Sequence, residues 1–207
     1  MSNSTHDGSA KTSRLNRADI LTAALDLLDE VGLPDLSMRR LAAKLEMQPS
    51  GLYWHFENKQ TLFAHISDHI VDHIQPSDDE NTDWRARSLN AACTLRDSLL
   101  AFRDGAEIVS SSLALGLGAA AALERIRRPL TESGIPADKV QAAAEAILFL
   151  VLGQVWHLQQ RMAADSLGVA SPLAQAGVAE VISPRDQDAL VSGVALILAG
   201  LEREILA

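Results

Sequence analysis

MRRLAAKLEMQPSGLYWHF, residues 38–56, decides how this chain folds. The chain holds only eight aromatic residues (four Phe, three Trp and one Tyr), yet Tyr53, Trp54 and Phe56 fall together around His55. Rings are mediocre helix formers, so propensity alone does not gather them. Ser37 is suited to cap a helix over residues 38–47, with Leu41, Ala42 and Leu45 facing inward. Gln48-Pro49-Ser50 then breaks and restarts the chain, proline being tolerated near a helix start. A gap of a few residues between two short helices is the spacing of a helix-turn-helix. At about 100° per residue, Leu52 and Phe56 share one face of the third helix and belong to the core. Tyr53 and His55 lie on other faces, and burying their polar tips would demand partners.

Working outward, nearly everything reads at helical period and no alternating strand stands out. Asn16 with Asp19 three residues on forms a capping-box pattern, and Leu15 and Ile20 stand where a hydrophobic staple closes. Ile20, Ala24, Leu28 and Val31 make the first helix's inner stripe, and Gly32 marks its stop. Asn58 opens a fourth helix running to Gln75, striped by Leu62, Ile66, Ile70 and Ile74. PSDDENTD, residues 76–83, is polar, acidic and proline-led, and marks a boundary. Beyond it the pattern predicts helices over Trp84–Phe102, an alanine-rich stretch near Leu113–Leu130, and a long helix from Pro136 or Ala137 to Ala164. A last helix is opened by Ser183-Pro184-Arg185-Asp186, and residues 165–182 read as a loop. The expected fold is all-α: residues 1–14 a flexible arm, 15–60 a helix-turn-helix domain, 61–75 a connecting helix, and 84–207 a larger helical domain.

Composition narrows the function. The single cysteine, Cys93, excludes an internal disulfide framework and sits in an apolar helical pattern, as an inert thiol would. Residues 1–14 lack the apolar run of a signal peptide, and AILFLVLGQVW is short for a membrane span, so a cytoplasmic protein without membrane contact is expected. Net charge is −9, but it is unevenly spread. Residues 1–60 hold seven basic and eight acidic side chains, while residues 61–207 hold eleven and nineteen. DNA meets a local surface, so a basic face in the first sixty residues can dock while the acidic remainder points away. No G-x-S-x-G elbow, glycine-rich phosphate loop or paired-carboxylate site stands out for an enzyme, and no cofactor is implied.

In a DNA-reading helix-turn-helix the later helix lies in the major groove while the earlier one crosses the backbone. Arg39 suits a bidentate contact to guanine, and Lys59 suits a phosphate. Ser50 and Gly51 are small enough for close approach. Tyr53 offers a ring to thymine methyls, and His55 donates to phosphate in either neutral tautomer.

The run NRADILTAALDLLDEVGLPDLSMRRLAAKLEMQPSGLYWHFENKQTL (residues 16–62) resembles the N-terminal domain of TetR-family transcriptional repressors. LYWH at 52–55, NK at 58–59, RDGA at 103–106 and SGVALILAGLEREI at 192–205 are similar to the tetracycline-repressor subgroup. The resemblance implies an all-helical homodimer, a two-fold symmetric DNA operator and a small-molecule effector in the larger domain. Arg39, Tyr53, Trp54, His55 and Lys59 match DNA-contact positions. Pro49 and Gly51 stand where that subgroup carries glutamine and threonine. Losing the glutamine removes an adenine reader, worth about 1–3 kcal/mol of discrimination, so the operator sequence should differ.

The same resemblance places Gln75, Ala91, Leu95, Val109 and His157 where tetracycline repressors grip a drug–magnesium chelate, with Ser112 replacing a threonine. Valine cannot ligate, and histidine substitutes poorly for a carboxylate beside Mg²⁺. The implied effector is a hydrophobic drug-like molecule other than tetracycline–magnesium, in an apolar cavity with Ser112, His157 and Gln75 as polar handles. His65, His69 and His73 recur every four residues without a nearby cysteine or glutamate at metal spacing, so they read as a half-buried interdomain stripe and no metal is assigned. Ile147–Trp156 and Leu190–Ile205 are apolar on more than one face, as subunit-contacting helices are. A ligand-binding module whose helix-turn-helix no longer reads DNA, or an activator of the same fold, remains the alternative.

Overall fold

The computed structural model describes residues 15–77, 82–166 and 186–206. Among them all regular structure is helical: α1 Arg17–Val31, α2 Met38–Lys44, α3 Pro49–Tyr53, α4 Lys59–Asp72, α5 Trp84–Leu100, α6 Gly105–Ala114, α7 Ala120–Thr131, α8 Ala137–Ser166 and α9 Asp186–Leu206. An N-terminal helix-turn-helix domain stands on a larger C-terminal helical domain.

Local chemistry sets most helix starts. Asn16 Oδ1 accepts from the N–H groups of Ala18 (2.8 Å) and Asp19 (3.0 Å), and Asp19 Oδ2 accepts in return from Asn16 N–H (2.9 Å). This is the capping box read from the sequence. Gly32, at φ 77°, ends α1 by donating to Leu28 O at 2.8 Å. Ser37 caps α2 through Arg40 N–H, and Asn58 caps α4 through Thr61 N–H. Pro49 opens α3, where no side chain caps the helix. Asp83 accepts from Ala86 N–H at the start of α5. Ser183 and Pro184, expected to open the last helix, and the expected loop at 165–182 fall largely outside the described residues.

Several boundaries differ from expectation, each for a visible reason. Helix α2 stops at Lys44 rather than Met47 because Glu46 turns left-handed at φ 53°, and Met47 N–H returns to Ala42 O at 3.0 Å. Helix α4 stops at Asp72 rather than Gln75, and Ile74, expected in its stripe, is exposed with its N–H donated to Ser98 Oγ. In α1, Leu27 joins Ile20, Ala24 and Leu28 in the core, and Val31 is only half-buried. The alanine-rich stretch divides into two helices. Gly116 and Ala119, both at positive φ, turn the chain between α6 and α7, and α6 begins at Gly105, well before Leu113.

Helix α4 joins the two domains. It packs on α1 at one end and on α5, α6 and α7 along its length. Leu62, Ile66 and Ile70 are buried on one side of it, and Ala64, Ser67 and Val71 on another. Helix α8 organises the C-terminal domain, packing on α5, α6, α7 and α9. By length and composition α8 is apolar enough to cross a membrane, but 44% of its most apolar stretch is buried inside the protein. Its inner side is core: Val140, Ala144, Ile147, Val151 and Val155 are buried. Its outer side leaves Phe149 and Trp156 exposed.

Two glycines meet contrasting surroundings. A Cβ on Gly118, in the α6–α7 turn, would lie 2.8 Å from Ala64 O and from Ser67 Oγ of α4. A Cβ on Gly51 would meet only the mobile methyl end of Met47. Gly118→Ala is therefore expected to lower stability by about 1–3 kcal/mol through overpacking, whereas Gly51→Ala should cost less than about 0.5 kcal/mol. Urea unfolding of the two variants measures the difference. Asn16→Ala should cost about 0.5–2 kcal/mol in the same experiment through the lost cap.

Candidate nucleic-acid interface and interior ligand site

Helix α3 is five residues long. It stops at Tyr53, short of the Phe56 that the sequence placed on it, but Phe56 N–H still returns to Leu52 O at 2.9 Å, and Leu52 and Phe56 are both buried. Between them, Tyr53 is 52% and Trp54 88% exposed, an extreme value for an indole. Pro49 and Ser50 are exposed beside them, and Gly51 and His55 are half-buried. The outer face of α3 thus presents two rings flanked by small residues.

The cations around this face divide sharply. On α2, Arg40 pairs with Asp35 at 3.3 Å, and Lys44 pairs with Glu30. Arg39 is exposed and has no ion pair among the described residues. Lys59, half-buried at the start of α4, holds its ammonium 4.8 Å from the centroid of the Phe63 ring. Internal pairing therefore neutralises the cations beside Arg39 and leaves Arg39 available.

Arg17 was not among the residues the sequence singled out. Its Nε donates to His55 O at 3.1 Å, and its guanidinium carbon lies 5.5 Å from the Phe56 ring centroid. It ties the end of α3 to the start of α1. A sequence signal existed: a cation in a helix's first turn opposes the macrodipole, so an outside acceptor is expected.

Of the three histidines expected as a half-buried stripe, only His65 is half-buried; His69 on α4 and His73 just past its end are exposed, and all three pack on rings. His65 packs edge-on against Phe56 at 5.4 Å, while His69 and His73 pack on Phe102 at 5.8 and 4.9 Å. Among the described residues, no three His, Cys, Asp or Glu side chains gather as metal ligands would.

Of the six residues expected around an effector, four lie inside the C-terminal domain. Ala91 and Leu95 are buried on α5, and Val109 and Ser112 on α6. Ser112 Oγ donates to Phe63 O of α4 at 3.4 Å. Gln75 and His157 are exposed instead: Gln75 Nε2 donates to Asp72 O at the end of α4, and His157 stands next to Trp156 on α8. Ala91 also lines a notch of about 50 Å³ between α5 and α7, with Arg87, Arg125, Arg128 and Glu132. A groove of about 480 Å³ runs between α6 and α8, past Ala106, Ser110, Phe149 and Trp156. Neither opening gathers the six. Burial pushes the pKa of the nearby Cys93 thiol up, against the opposing effect of Arg96.

Helix α4 is wired to the helices around this interior. Asp68 Oδ1 accepts from Ala119 N–H at 2.7 Å, fixing the start of α7. One turn further on, Arg125 of α7 holds Val71 O and the Asp72 carboxylate at the C-terminal end of α4. With Ser98 and Ser112, α5, α6 and α7 each bond directly to α4 or to the residues just beyond it. These bonds tie α5, α6 and α7 to the helix on which α1 packs.

Similarity to known proteins agrees with this architecture. Residues 20–66 match the family of bacterial regulatory proteins described as the tetR family, and residues 75–205 match the tetracyclin repressor-like C-terminal domain. The chain is 32% identical to the class C tetracycline repressor protein of Escherichia coli, over 92% of each chain. It resembles the crystal structure of Mycobacterium smegmatis BioQ with a TM-score of 0.77 and 32% identity, covering 92% of this chain and 99% of that one. BioQ bound to its natural double-stranded DNA operator gives a TM-score of 0.73 at 33% identity, covering 91% and 98%. An outward aromatic helix in a helix-turn-helix, a linking α4 and matches along both domains place this chain in the TetR family of DNA-binding transcriptional regulators.

Proposed function

We propose that this protein is a ligand-responsive repressor that binds a palindromic operator as a homodimer and leaves it when a small effector enters the C-terminal domain. The observation that carries the DNA half of this reading is the face of α3. Tyr53, the last residue of α3, and Trp54 just past it are exposed while Leu52 and Phe56 are buried, and Arg39 on α2 is exposed and makes no ion pair among the described residues. A ring exposed to this degree has no value to the isolated fold but fits a groove floor. Arg39 reads a guanine, Tyr53 offers its ring to thymine methyls and its hydroxyl to phosphate, Trp54, His55 and Lys59 add contacts to the DNA, and Pro49, Ser50 and Gly51 allow close approach.

The assignment of residues 15–60 to DNA reading, 61–75 to coupling and 84–207 to effector binding and dimerisation rests on the fold and on similarity to regulators of this family. Phe149 and Trp156 of α8 and Leu196 of α9, exposed by 46–74%, supply an apolar face for a second subunit. Two copies would present their α3 helices to major grooves about 34–36 Å apart. The effector is a small hydrophobic molecule approached by Ala91, Leu95, Val109 and Ser112, with Gln75 and His157 as outlying polar handles. It releases DNA only to the extent that it binds better to the conformer with the wrong spacing.

Duplexes selected from a random library by the purified full-length protein should share a two-fold repeat. On that sequence Arg39→Ala should cost about 1–3 kcal/mol and relax discrimination at one base pair per half-site, while Lys59→Ala should weaken all sequences alike and flatten the salt dependence by about one charge. Selected DNA without a repeat, or an Arg39→Ala protein with unchanged preference, would refute the reading. In thermal-shift measurements, tetracycline with Mg²⁺ should leave the melting curve in place. A true effector at a hundredfold excess over its Kd should add about 2.7 kcal/mol of stability.

A further inference from the structure

We infer that Gln159, inside the C-terminal domain, is a positioning residue for DNA reading: it shapes a corner whose Arg103 and Asp104 clasp the end of α1. The chain passes from α5 to α6 within Ala101–Asp104. At so abrupt a corner the Leu99 and Phe102 carbonyls accept turn bonds from Phe102 N–H (3.4 Å) and Gly105 N–H (3.1 Å) and keep room for further partners, and the Ala106 amide at the start of α6 needs one outside its helix. Gln159 of α8, almost fully buried, supplies them. Its Nε2 donates to Leu99 O (3.0 Å) and Phe102 O (2.8 Å), and its Oε1 accepts from Ala106 N–H (3.2 Å). A buried carboxamide is tolerated when its donors and acceptor are used, and here all are. The corner also needs Gly105, where a Cβ would lie 2.5 Å from Leu99 O, and Asp104 in the left-handed region at φ 55°.

What the corner presents is directed at the other domain. Asp104 Oδ2 accepts from Leu33 N–H at 2.8 Å, in the α1–α2 connector. Arg103 Nη1 donates to Asp29 O (3.0 Å) and Glu30 O (3.3 Å), carbonyls in the last turn of α1. A helix C-terminus favours a cation, and α1 has no basic residue in its own last turn. Arg103 fills that role from over seventy residues away. Gly32 leaves the space, since a Cβ there would stand 3.2 Å from three guanidinium atoms.

The helix-turn-helix is thus attached at two places, and this changes its mechanics. A domain carried on α4 alone could turn about that helix's axis. A second attachment at the end of α1, off that axis, removes the rotation and sets the direction in which α3 points. Because Gln159 belongs to α8, the direction is referenced to the central helix of the C-terminal domain as well as to α4.

Hydrogen exchange on the DNA-free, full-length protein tests this, and does so whether or not the operator reading holds. Gln159→Met keeps the side-chain length and removes the three bonds. It should speed exchange of the Leu33 amide about tenfold, although Gln159 does not touch Leu33, while the Ile66 amide in α4 changes less than about twofold. Asp104→Gly, which tolerates the left-handed backbone, should do the same directly. On the selected operator each variant should bind about tenfold more weakly, and the double variant should be no weaker than the worse single one. Wild-type protection of Leu33 in Gln159→Met overturns the inference, as do operator losses that multiply in the double variant. Should Gln159→Met fail to fold, Gln159→Glu keeps the acceptor for Ala106 N–H and loses both donations. Leu33 should again exchange faster in it, and unchanged protection there is equally fatal.

Discussion

The burial of Leu52 and Phe56 is the constraint from which the rest of the molecule follows. A helix as short as α3 has no stability of its own in water, because nucleation costs more than one turn returns. It exists because two apolar side chains on one face are removed from solvent, each contributing about 1.5–3 kcal/mol. Arg17 and His65 then hold Phe56 from two further sides. Once that face is fixed, geometry alone directs Tyr53 and Trp54 outward. The unusual exposure of Trp54 is the reverse side of the near-complete burial of Leu52 and Phe56.

The acidic character of the chain is compatible with this surface. In the first domain three of the acids serve structure: Asp19 closes the box on α1, Glu30 holds Lys44, and Asp35 holds Arg40. Each pair is exposed and worth little in stability. Together, however, they occupy the cations that flank Arg39, so the local potential is shaped by which charges are paired rather than by the total.

Features that depend on near neighbours were legible in the sequence. Asn16 with Asp19, Ser37, Pro49, Asn58 and Gly32 act within one helical turn, and their roles follow from backbone groups that any helix leaves open. Left-handed residues without a glycine signature were not legible. Glu46 and Asp104 cut α2 short and started α6 early; glutamate gives no sign of a positive φ, and aspartate, though it tolerates one, more often caps a helix from extended backbone. The polar contacts made by Arg17, Arg103, Asp104 and Gln159 span roughly 38 to 74 residues and leave no periodic trace. For the interior site, resemblance supplied positions rather than shape. Four of its residues proved buried, while Gln75 and His157 lie outside that group because α4 ends early and His157 sits on the outer side of α8.

The division of labour within α3 has a bearing on how such a regulator diversifies. The side chains that stabilise the helix, Leu52 and Phe56, are not those that meet the outside: Pro49, Ser50 and Trp54 are exposed, and Tyr53 is about half so. Exchanges at the outward positions therefore leave the fold nearly untouched. On the proposed reading, the target preference of a descendant can wander step by step through folded intermediates, unburdened by any penalty in thermal endurance.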